Sequence, residues 1–492
     1  MKSLKNIATV FSVAMFFFNA QAQQNIFVKG YEVPQASFVQ YFELIKTYDK
    51  GYMAGNAGFL LKTDSLGNMQ FMRQNTFASP YSIDKTYDGG YVGSGSGGII
   101  KLDSAGNIIW FKQFNSITSY SINVVRETPD HGFIVAGGIS IGSTGGILLV
   151  KTDSLANVQW SGLYRTTMGG ATSLVLTADN GYLLCGDSRS LINNPIWSDI
   201  CAIKIDSIGN PQWGKHYTVL GIDFSIKRII VTSDSNYIIC GGMGGQYLLK
   251  IDSAGNQLWM KQYFLQIPSV AQSVEETPDK GFIMGGYWIT FGGVLMKTDS
   301  MGDFEWVNVL GGATVFGGSV KPASDGGYVM AARANGANGH GIIIFKTDSL
   351  GQTGGCMDAA QPVTVNNVND TIISVPVFDS VLSVTTSPVT ITFNNVGNVY
   401  DLCPTGIQNL QDITEFTLYP NPATTRITLQ YNNTANAALQ ILDITGRRIK
   451  QMALSKASST TTIDVSDLPA GMYFYSVSTA LDKSKTGKFV KE

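Results

Sequence analysis

Charged residues are scarce in this chain of 492 residues, and their scarcity excludes several classes of function. Asp, Glu, Lys and Arg make up 14% of the residues, and the formal net charge is −2 at pH 7. Lys and Arg form no block or stripe that could neutralise the phosphates of a nucleic acid or an anionic membrane surface. We therefore expect no nucleic-acid partner.

Histidine is scarcer still, which argues against a metal centre. His131, His216 and His340 lie in different parts of the chain and lack the close spacing of metal-binding pairs. The sequence also lacks a serine nucleophile elbow and a phosphate-binding loop with its lysine. We predict no metal site, no cofactor and no catalytic residue.

Long apolar runs are confined to the N-terminus. Lys2 and Lys5 precede an apolar run over residues 7–18, and residues 20–22 have the small-x-small form that signal peptidase cleaves. Residues 1–22 are therefore predicted to be a signal peptide. The residue directly after the cleavage site is not a Cys, and no later segment approaches the roughly 20 apolar residues of a membrane span. We expect an exported protein with neither a lipid anchor nor a transmembrane segment.

One short pattern recurs seven times along the chain. Most copies read Lys-x-Asp-Ser-x-Gly-Asn and end in an aromatic residue; they begin at Lys62, Lys101, Lys151, Lys204, Lys250, Lys297 and Lys346. A second pattern, Thr-x-Asp in most copies, precedes each of them. Asp near Gly or Asn between apolar segments indicates tight turns between strands. Each repeat is predicted to hold four antiparallel strands, called A, B, C and D in chain order.

Two columns of the aligned repeats predict how these sheets pack. One position of strand B is always small: Gly55, Ser94, Ala136, Cys185, Cys240, Gly285 and Ala331. One position of strand D is large and aromatic: Phe71, Trp110, Trp160, Trp213, Trp259 and Trp306. Small residues inside and large residues outside fit sheets arranged around a common axis. The sequence predicts an all-β fold with a seven-bladed β-propeller over residues 23–355.

The ring needs one more strand than the repeats supply. Seven copies of strands A to C are followed by only six aromatic D strands, because the pattern ends after Lys346. Residues 25–31 match the segment around Trp259 in their aromatic, Lys and Tyr positions. We expect this N-terminal strand to complete the last blade, because closure removes the exposed edges of an open array.

The few cysteines divide into two groups. Cys356 and Cys403 lie in residues 356–413, predicted to be a β linker tied by their disulfide. An exported chain permits such a bond, which would be worth up to about 4 kcal/mol for a loop of this length. Cys185 and Cys240 in the small column, and Cys201 in strand C, are expected to be buried free thiols.

Several short motifs mark the end of the chain. Their residues are Tyr419, Pro420, Asn421, Pro422, Gly446, Arg447, Leu468, Pro469, Gly471, Tyr473 and Lys488. In order and spacing they resemble the type A C-terminal sorting domain of the type IX secretion system. The resemblance covers residues 414–492 and implies a small β-sandwich that the type IX secretion machinery recognises at the outer membrane. It further implies cargo that is secreted or attached to the cell surface. The repeats themselves resemble propeller repeats common in such cargo, a likeness that implies no activity.

The repeated Asp-Ser turn is open to more than one interpretation. An Asp needed once per repeat, such as Asp64, is expected to make a turn, whereas a calcium loop needs several oxygen ligands at alternate positions. Asp-Ser before an aliphatic residue also resembles an O-glycosylation sequon of bacteria with this export route. Ser65, Ser104 and their equivalents are thus candidate modification sites, although turn chemistry alone explains the serine.

Residues that depart from the repeat carry the binding hypothesis. Long B–C insertions start at Gly186, Gly285 and Ala331, and all such connections share one face of the sheets. Candidate binding residues are Asp187, Arg189, Trp197, Asp199, Tyr287, Trp288, Arg333, Asn335 and His340. Exposed aromatic residues beside polar ones suit a sugar or a protein partner. Packing of the two tryptophans over the end of the ring would explain them equally well.

Two functions follow as hypotheses. The leading one is an exported, non-catalytic module that binds a glycan or a surface protein on its loop-rich face. The alternative is a hydrolase or lyase acting on polysaccharides, which should show charged residues that break the repeat near the axis.

Overall fold

Every regular element that the structure describes is a β-strand. The computed structural model describes residues 26–492 except for 33–42, 57–58, 76–81, 96, 116–118, 142–143, 166–169, 190–197, 220–222, 243–244, 266–268, 289–291, 312–314, 337–338, 355–357, 361–362, 368–370, 375–377, 382–383, 389–392, 396–398, 404–412, 434–436, 444–447, 455–459 and 480–483. The predicted signal peptide lies outside this part of the chain. No helix in it is long and apolar enough to cross a membrane.

The strands form seven five-stranded antiparallel sheets and two smaller ones. Strand β1 spans Phe27–Glu32. Sheet 1 begins with β2 (Glu43–Lys46), β3 (Tyr52–Asn56), β4 (Phe59–Thr63) and β5 (Met69–Asn75). Sheet 2 begins with β6 (Ser82–Lys85), β7 (Tyr91–Gly95), β8 (Gly98–Leu102) and β9 (Ile108–Asn115). Sheet 3 begins with β10 (Ser119–Glu127), β11 (Phe133–Ile141), β12 (Thr144–Thr152) and β13 (Val158–Arg165).

The next four sheets repeat this order. Sheet 4 begins with β14 (Ser173–Leu176), β15 (Tyr182–Arg189), β16 (Ser198–Ile205) and β17 (Pro211–Thr218). Sheet 5 begins with β18 (Ile226–Val231), β19 (Tyr237–Gly242), β20 (Gln246–Ile251) and β21 (Gln257–Leu265). Sheet 6 begins with β22 (Ser269–Glu276), β23 (Phe282–Trp288), β24 (Gly292–Thr298) and β25 (Phe304–Leu310). Sheet 7 contains β26 (Val315–Pro322), β27 (Tyr328–Gly336), β28 (Gly339–Thr347) and then β1.

A fifth strand on each sheet differs from the four strands that the sequence predicts. Residues 358–403, called the belt below, contain β29 (Asp358–Ala360), β30 (Val363–Asn367), β31 (Thr371–Ser374), β32 (Phe378–Val381), β33 (Thr385–Pro388), β34 (Phe393–Asn395) and β35 (Val399–Cys403). Each pairs with the outer strand of one sheet, in the order sheet 6, 5, 4, 3, 2, 1 and 7. The segment expected to be a linker therefore covers the outer edge of all seven sheets.

Neighbouring sheets meet along their first strands. Each of β2, β6, β10, β14, β18 and β22 contacts the first strand of the next sheet, and β26 of sheet 7 contacts β2 of sheet 1. Near these first strands the Leu44 N–H donates to Ser319 Oγ over 3.1 Å. On the outer side Tyr31 Oη donates to the Gly67 carbonyl over 2.5 Å. Sheets 7 and 1 are thus joined at both places.

The repeated glycine and tryptophan pack against each other across sheets. A Cβ atom at Gly302 in the C–D turn of sheet 6 would lie 2.9 Å from Cη2 of Trp259 in sheet 5. Gly302 also has φ near 75°, a conformation that favours glycine. The repeated glycine and the repeated tryptophan therefore serve contact between neighbouring sheets, and the glycine also serves the turn.

The repeated Asp of the C–D turn is engaged by its own turn. Asp252 Oδ1 accepts the N–H groups of Ala254 and Asn256 over 2.9 and 2.7 Å, and its Oδ2 accepts from the Asn256 amide. Equivalent bonds occur at Asp64, Asp153 and Asp206. Both carboxylate oxygens are used in closing the turn, which supports its structural interpretation. The adjacent Ser65 and Ser104 are exposed.

The A–B turn carries a second Asp, which pairs with the repeated Lys of strand C. The pairs are Asp49–Lys62, Asp88–Lys101, Asp130–Lys151, Asp179–Lys204, Asp234–Lys250, Asp279–Lys297 and Asp325–Lys346. In four of these pairs burial opposes ionisation of the carboxyl, but hydrogen bonds from Lys and Thr outweigh it. They lower the pKa of Asp49, Asp88, Asp130 and Asp179 to about 2.

These pairs predict a fall in stability in acid. Because the pKa of these four Asp residues is lower in the folded state than its usual 3.8, the stabilisation is present above that value and is lost as the pH falls towards 2. The melting temperature, measured by circular dichroism from pH 6 to pH 2, should drop steeply below about pH 4. An Asp88→Asn/Asp130→Asn variant should melt lower at pH 6 and show a smaller further drop. A melting temperature that is flat down to pH 2 would refute this account.

The C-terminal part, residues 406–492, is a separate compact unit. One sheet contains β36 (Ile413–Tyr419), β37 (Arg426–Asn433) and β40 (Thr460–Asp464). The other contains β39 (Arg448–Leu454), β38 (Ala437–Leu442), β41 (Gly471–Thr479) and β42 (Ser484–Lys491) in that spatial order. Both sheets contribute to one core, which includes Leu429, Ile463, Leu439 and Phe489.

Candidate functional site

Charged residues interrupt two columns of the first strands. Four positions before the repeated Thr, most sheets carry Ser or Val, but sheets 1 and 5 carry Glu43 and Arg228. Two positions before it, three sheets carry Ile or Val and the other four carry Asp84, Arg126, Glu275 and Lys321. Since the first strands contact one another in sequence, these side chains come from six sheets into one region.

The six charged residues form one ion-paired group, called the axial network below. Glu43 accepts a hydrogen bond from Arg228 Nη1, and its Oε1 lies 3.9 Å from Nη2 of Arg126. Arg228 also lies 3.6 Å from Glu275, which pairs with Lys321. Arg126 Nε lies 3.5 Å from Asp84. Three carboxylates and three cations therefore neutralise one another between the sheets.

Burial makes these pairs mutually dependent. The side chains of Glu43 and Arg228 are only 10% and 16% exposed. Burial opposes ionisation of Glu43, but Arg228 and Arg126 outweigh it and hold the pKa of that carboxyl below its usual value. Burial lowers the pKa of Lys321, and Glu275 opposes that change. Glu43 therefore remains ionised as the counter-ion of two arginines, a state unsuited to donating a proton.

A cavity of about 290 Å³ lies against this network. Glu43, Arg126 and Arg228 line part of it. Five further residues line it, and they come from the consecutive sheets 3 to 6: Asn123, Thr172, Asp187, Lys227 and Gln272. In a sheet with antiparallel strands A to D, strand A begins at the same end as the B–C connection. Several lining residues stand near the start of strand A, so the cavity lies at the end that carries the predicted insertions.

Asp187 is the sequence-predicted residue that lines this cavity. Its Oδ1 accepts the Ile226 N–H over 2.6 Å. Burial raises the pKa of the Asp187 carboxyl, and the hydrogen bond from Ile226 and the charge of Lys227 oppose the rise. Asp187 thus combines access to the cavity with an increased affinity for a proton.

Asp199, another predicted binding residue, is fully buried in sheet 4. Its Oδ1 accepts from Thr218 Oγ1 over 2.7 Å, and its Oδ2 lies 3.9 Å from Nδ1 of His216. His216 Nε2 lies 3.3 Å from Ser188 Oγ. The residue types match a nucleophilic triad, but Ser188 is 2% exposed and the other two are 0% exposed. Within the part of the chain that the structure describes, all three side chains are closed off from solvent, so the cluster contributes to the packing of sheet 4.

The structure describes the remaining predicted binding residues only in part. Tyr287 and Arg333 are half-buried, and burial lowers the pKa of Arg333. Trp288 pairs with Ser269 and Gly292 in the backbone register, and Asn335 pairs with His340. Trp197 and the side chains of Arg189, Trp288, Asn335 and His340 lie outside the described residues.

The structure describes the side chains of three of the five cysteines. Cys185, Cys201 and Cys240 are buried and free, as predicted, and burial raises the pKa of all three thiols. Cys356 and the side chain of Cys403 lie outside the described residues, so the disulfide between them stays a prediction.

The sequence interpretation missed the axial network because it compared strand B and strand D and not strand A. The signal was available: Glu43 and Arg228 stand in a column of Ser and Val, and Arg126, Glu275 and Lys321 stand in a column of Ile and Val. Sequence alone could not show that these charges pair with one another.

The sorting motifs hold the C-terminal unit together. Asn421 Oδ1 accepts the Val490 N–H over 2.9 Å, so this residue lies along the edge of β42. Leu468 is buried, and Tyr473 donates to the Pro469 carbonyl over 2.9 Å while its ring stacks on Phe489. Gly446 and Arg447 lie outside the described residues.

The chain is distantly similar to several solved structures. A protein of unknown function from Bacteroides caccae is 11% identical, with a TM-score of 0.36, over 52% of this chain and 92% of that one. The extracellular domain of a proposed hybrid two component system from B. thetaiotaomicron is 10% identical, with a TM-score of 0.37, over 93% of this chain and 55% of that one. The extracellular domain of a proposed one component system from B. thetaiotaomicron is 10% identical, with a TM-score of 0.23, over 94% and 75%. Scores this low support no inference.

Comparison with protein families is more informative. No curated protein matches the chain. Residues 417–492 match the secretion system C-terminal sorting domain. This range holds all the motif residues on which the predicted resemblance rests, and it falls within the separate C-terminal unit. The sorting domain identifies the chain as a cargo protein of the type IX secretion system, secreted or attached to the cell surface.

Proposed function

We propose that residues 23–405 form a seven-bladed β-propeller that binds an uncharged glycan in the cavity beside the axial network, called the axial cavity below. Each five-stranded sheet is one blade, and the N-terminal strand β1 is the fourth strand of the last blade. The observation that carries the binding function is the cavity itself, lined by polar side chains beside a charge-neutral network.

The contacts between sheets support the propeller. Antiparallel pairing of β1 with β28 runs from Phe27 opposite Lys346 to Glu32 opposite Gly341. The hydrogen bond from Leu44 to Ser319 joins sheets 1 and 7 along the first strands, and the one from Tyr31 to Gly67 joins them further out. A ring of seven sheets accounts for both contacts, because it makes the first and last sheets neighbours.

The chemistry of the cavity favours a ligand rich in hydroxyl groups. Amide and hydroxyl side chains of Asn123, Thr172 and Gln272 can each donate or accept a hydrogen bond. The axial network beside them is charge-neutral, and the remaining cation, Lys227, acts electrostatically on Asp187, so the cavity does not favour a ligand of one charge. A volume of about 290 Å³ suits the terminal sugar of a glycan better than a protein surface.

The other sequence-predicted residues would form the rim. They belong to B–C insertions, which share the end of the sheets where the cavity lies. These residues are Arg189, Trp197, Tyr287, Trp288, Arg333, Asn335 and His340. Aromatic side chains at this rim could stack on sugar rings further along the same glycan.

Binding should depend on the polar wall of the cavity. The mature full chain, applied to a glycan array, should bind a defined set of neutral glycans. Gln272→Leu and Thr172→Val, which keep side-chain size and remove polar atoms, should each weaken that binding about tenfold or more, the cost of leaving sugar hydroxyls unpaired. Isothermal titration calorimetry with the best array glycan measures the change.

The matched control is Thr462→Val in the sorting domain, where the side chain is exposed. This variant should bind as the wild type does. Equal binding by Gln272→Leu, Thr172→Val and the control would contradict the proposed site.

Hydrolysis or β-elimination of a polysaccharide is the second candidate function, and two observations favour it. Charged residues such as Glu43 and Arg228 break the repeat along the first strands, as the enzyme hypothesis requires. Burial raises the pKa of Asp187, whereas two arginines lower that of Glu43, and opposite shifts of two carboxyls are a mark of paired acid and base. Product release from the array glycans at catalytic rates, abolished by Asp187→Asn, would establish this function and displace the binding proposal.

A further inference from the structure

Three β-bulges aim side chains at the axial cavity. In strands β10, β18 and β22 the pairing with the second strand skips one residue, and the skipped residues are Asn123, Lys227 and Gln272. All three line the cavity and stand five positions before the repeated Thr. A bulge turns a side chain away from the regular ladder and is common beside functional sites. The same position thus departs from the ladder in three sheets, and each time it contributes to the cavity wall.

Three buried serines present hydroxyl donors to the cavity. Ser82, Ser173 and Ser319 line it and are 2%, 4% and 3% exposed. Their oxygens accept, in that order, from the guanidinium of Arg126 and from the N–H groups of Ile229 and Leu44, over 2.9, 3.2 and 3.1 Å. Because these partners can only donate, each serine keeps its hydroxyl hydrogen for another acceptor. The described residues supply no such acceptor, so three O–H donors remain for a ligand.

Two amide side chains in the wall are oriented by the backbone. Gln272 Oε1 accepts the Gly318 N–H over 3.4 Å, which leaves Nε2 as a donor. Asn123 Nδ2 donates to the Ala171 carbonyl over 2.8 Å, which leaves Oδ1 as an acceptor. A backbone N–H only donates and a carbonyl only accepts, so these partners decide which end of each amide is left for a ligand. Sheet 6 thus adds a donor, and sheet 3 adds an acceptor.

Further acceptors lie in the repeat next to that of Asn123. Thr172 donates its hydroxyl hydrogen to the Cys185 carbonyl over 3.1 Å and keeps its oxygen for an incoming donor. Asp187 uses Oδ1 for the Ile226 N–H, and among the described residues none donates to its Oδ2. Both belong to the repeat of sheet 4, whereas the donors come from the repeats of sheets 2, 4, 6 and 7. The cavity therefore has an acceptor side and a larger set of donors.

We infer that the axial cavity takes a neutral sugar that carries an acetamido group. The carbonyl oxygen of that group accepts from the serine hydroxyls and from Gln272 Nε2, and its N–H donates to Asn123 Oδ1. Its methyl group packs against Val124, a buried apolar residue of the cavity wall. This preference rests on the proposed glycan-binding function and narrows it to one class of sugar.

A hydroxyl or a carboxylate in place of the acetamido group fits the same atoms less well. A sugar hydroxyl that accepts from the serines still carries a hydrogen of its own, which needs an acceptor among donors. A carboxylate only accepts, but its charge would be uncompensated, since the axial network is neutral and Lys227 acts on Asp187. An amide carbonyl accepts without adding charge. Sites of this kind are selective because the wrong ligand leaves buried polar groups unpaired.

Pairs of sugars that differ only in this group test the preference. The mature full chain is applied to an array of neutral glycans in which one member of each pair has an acetamido group and the other a hydroxyl. Isothermal titration calorimetry then measures the best pair, and the acetamido member should bind about tenfold more tightly or better. Equal binding of the two members, or tighter binding of a uronic acid, would overturn the inference and leave glycan binding standing. Binding of no glycan at all would refute the proposed function as well.

A variant at Gln272 tests which atom selects the group. Gln272→Glu keeps an oxygen for the Gly318 N–H and replaces the free donor by an acceptor. With an unchanged melting profile, its preference for the acetamido member should fall about tenfold. The matched control is Gln159→Glu on strand β13, where an exposed amide receives the same charge and the bond from Lys151 is kept. The control should show the wild-type preference.

An undiminished preference in Gln272→Glu, or an equal loss in Gln159→Glu, would overturn the assignment of the cavity to acetamido sugars. The comparison of paired sugars on the wild type needs no variant, so it decides the matter even if Gln272→Glu does not fold.

Discussion

A mature chain that ends at residue 355 should aggregate and melt at a much lower temperature than one that ends at residue 405. Both lack the sorting domain, but only the shorter one lacks the belt. Without the belt, the outer strand of each of the seven sheets exposes unpaired backbone groups. Val363, Val365 and Val384 also leave the apolar clusters against which they pack. We expect a drop of about 10 °C or more, because the lost burial is worth several kcal/mol.

Differential scanning calorimetry and light scattering of the two truncated chains measure this effect. The chain that ends at residue 405 is the control, since residues 1–405 form one compact unit. Similar melting temperatures and similar solubility of the two chains would show that the belt is dispensable.

The predicted disulfide bears on the same element. Strand β29, which follows Cys356, lies on sheet 6, and β35, which ends at Cys403, lies on sheet 7. The belt thus starts and ends on consecutive sheets, and a Cys356–Cys403 bond would join its ends. A digest of the unreduced protein without the linked peptides would reject this pairing.

Replacing Glu43 by Gln should destabilise the repeats by about 3–5 kcal/mol, the usual cost of leaving a buried partner charge uncompensated. The change removes the carboxylate that Arg228 and Arg126 share, and all three side chains are at most 16% exposed. Urea unfolding of the mature chain, followed by tryptophan fluorescence, measures the loss.

A double-mutant cycle separates the pair from its surroundings. Arg228→Gln alone should also be costly, whereas Glu43→Gln/Arg228→Gln should lose less than the sum of the two single changes. Asp303→Asn, at a pair whose carboxylate is 68% exposed, is the control and should cost less than about 1 kcal/mol. A cost below that level for Glu43→Gln would mean that the axial network does not stabilise the fold.

The alternation of turns and apolar segments predicted strands A to D of the repeats well. Turn residues act over four or five positions, so Asp252 and Asn256 can be recognised from their spacing alone. The need for glycine beside tryptophan, as at Gly302 and Trp259, is visible as a repeat, but its cause is a contact between sheets.

The candidate site was predicted less well. Asp187 was singled out and lines the cavity, but Asp199, from the same insertion, is buried against Thr218 and His216. The pattern of an insertion shows which residues leave the repeat and not which of them face the solvent. Glu43 and Arg228 were missed because their significance depends on a partner 185 positions away.

By itself the sequence determined the all-β class, the four strands of each repeat and the sorting domain. Each of these is encoded in short-range spacing, where turn chemistry and side-chain alternation act within a few residues. Only the tertiary structure decided the course of the belt and the axial network. The belt strands are three to five residues long and share no motif, and the network joins charges from six separate sheets. Their partners are fixed by which sheets become neighbours, and no local pattern records that.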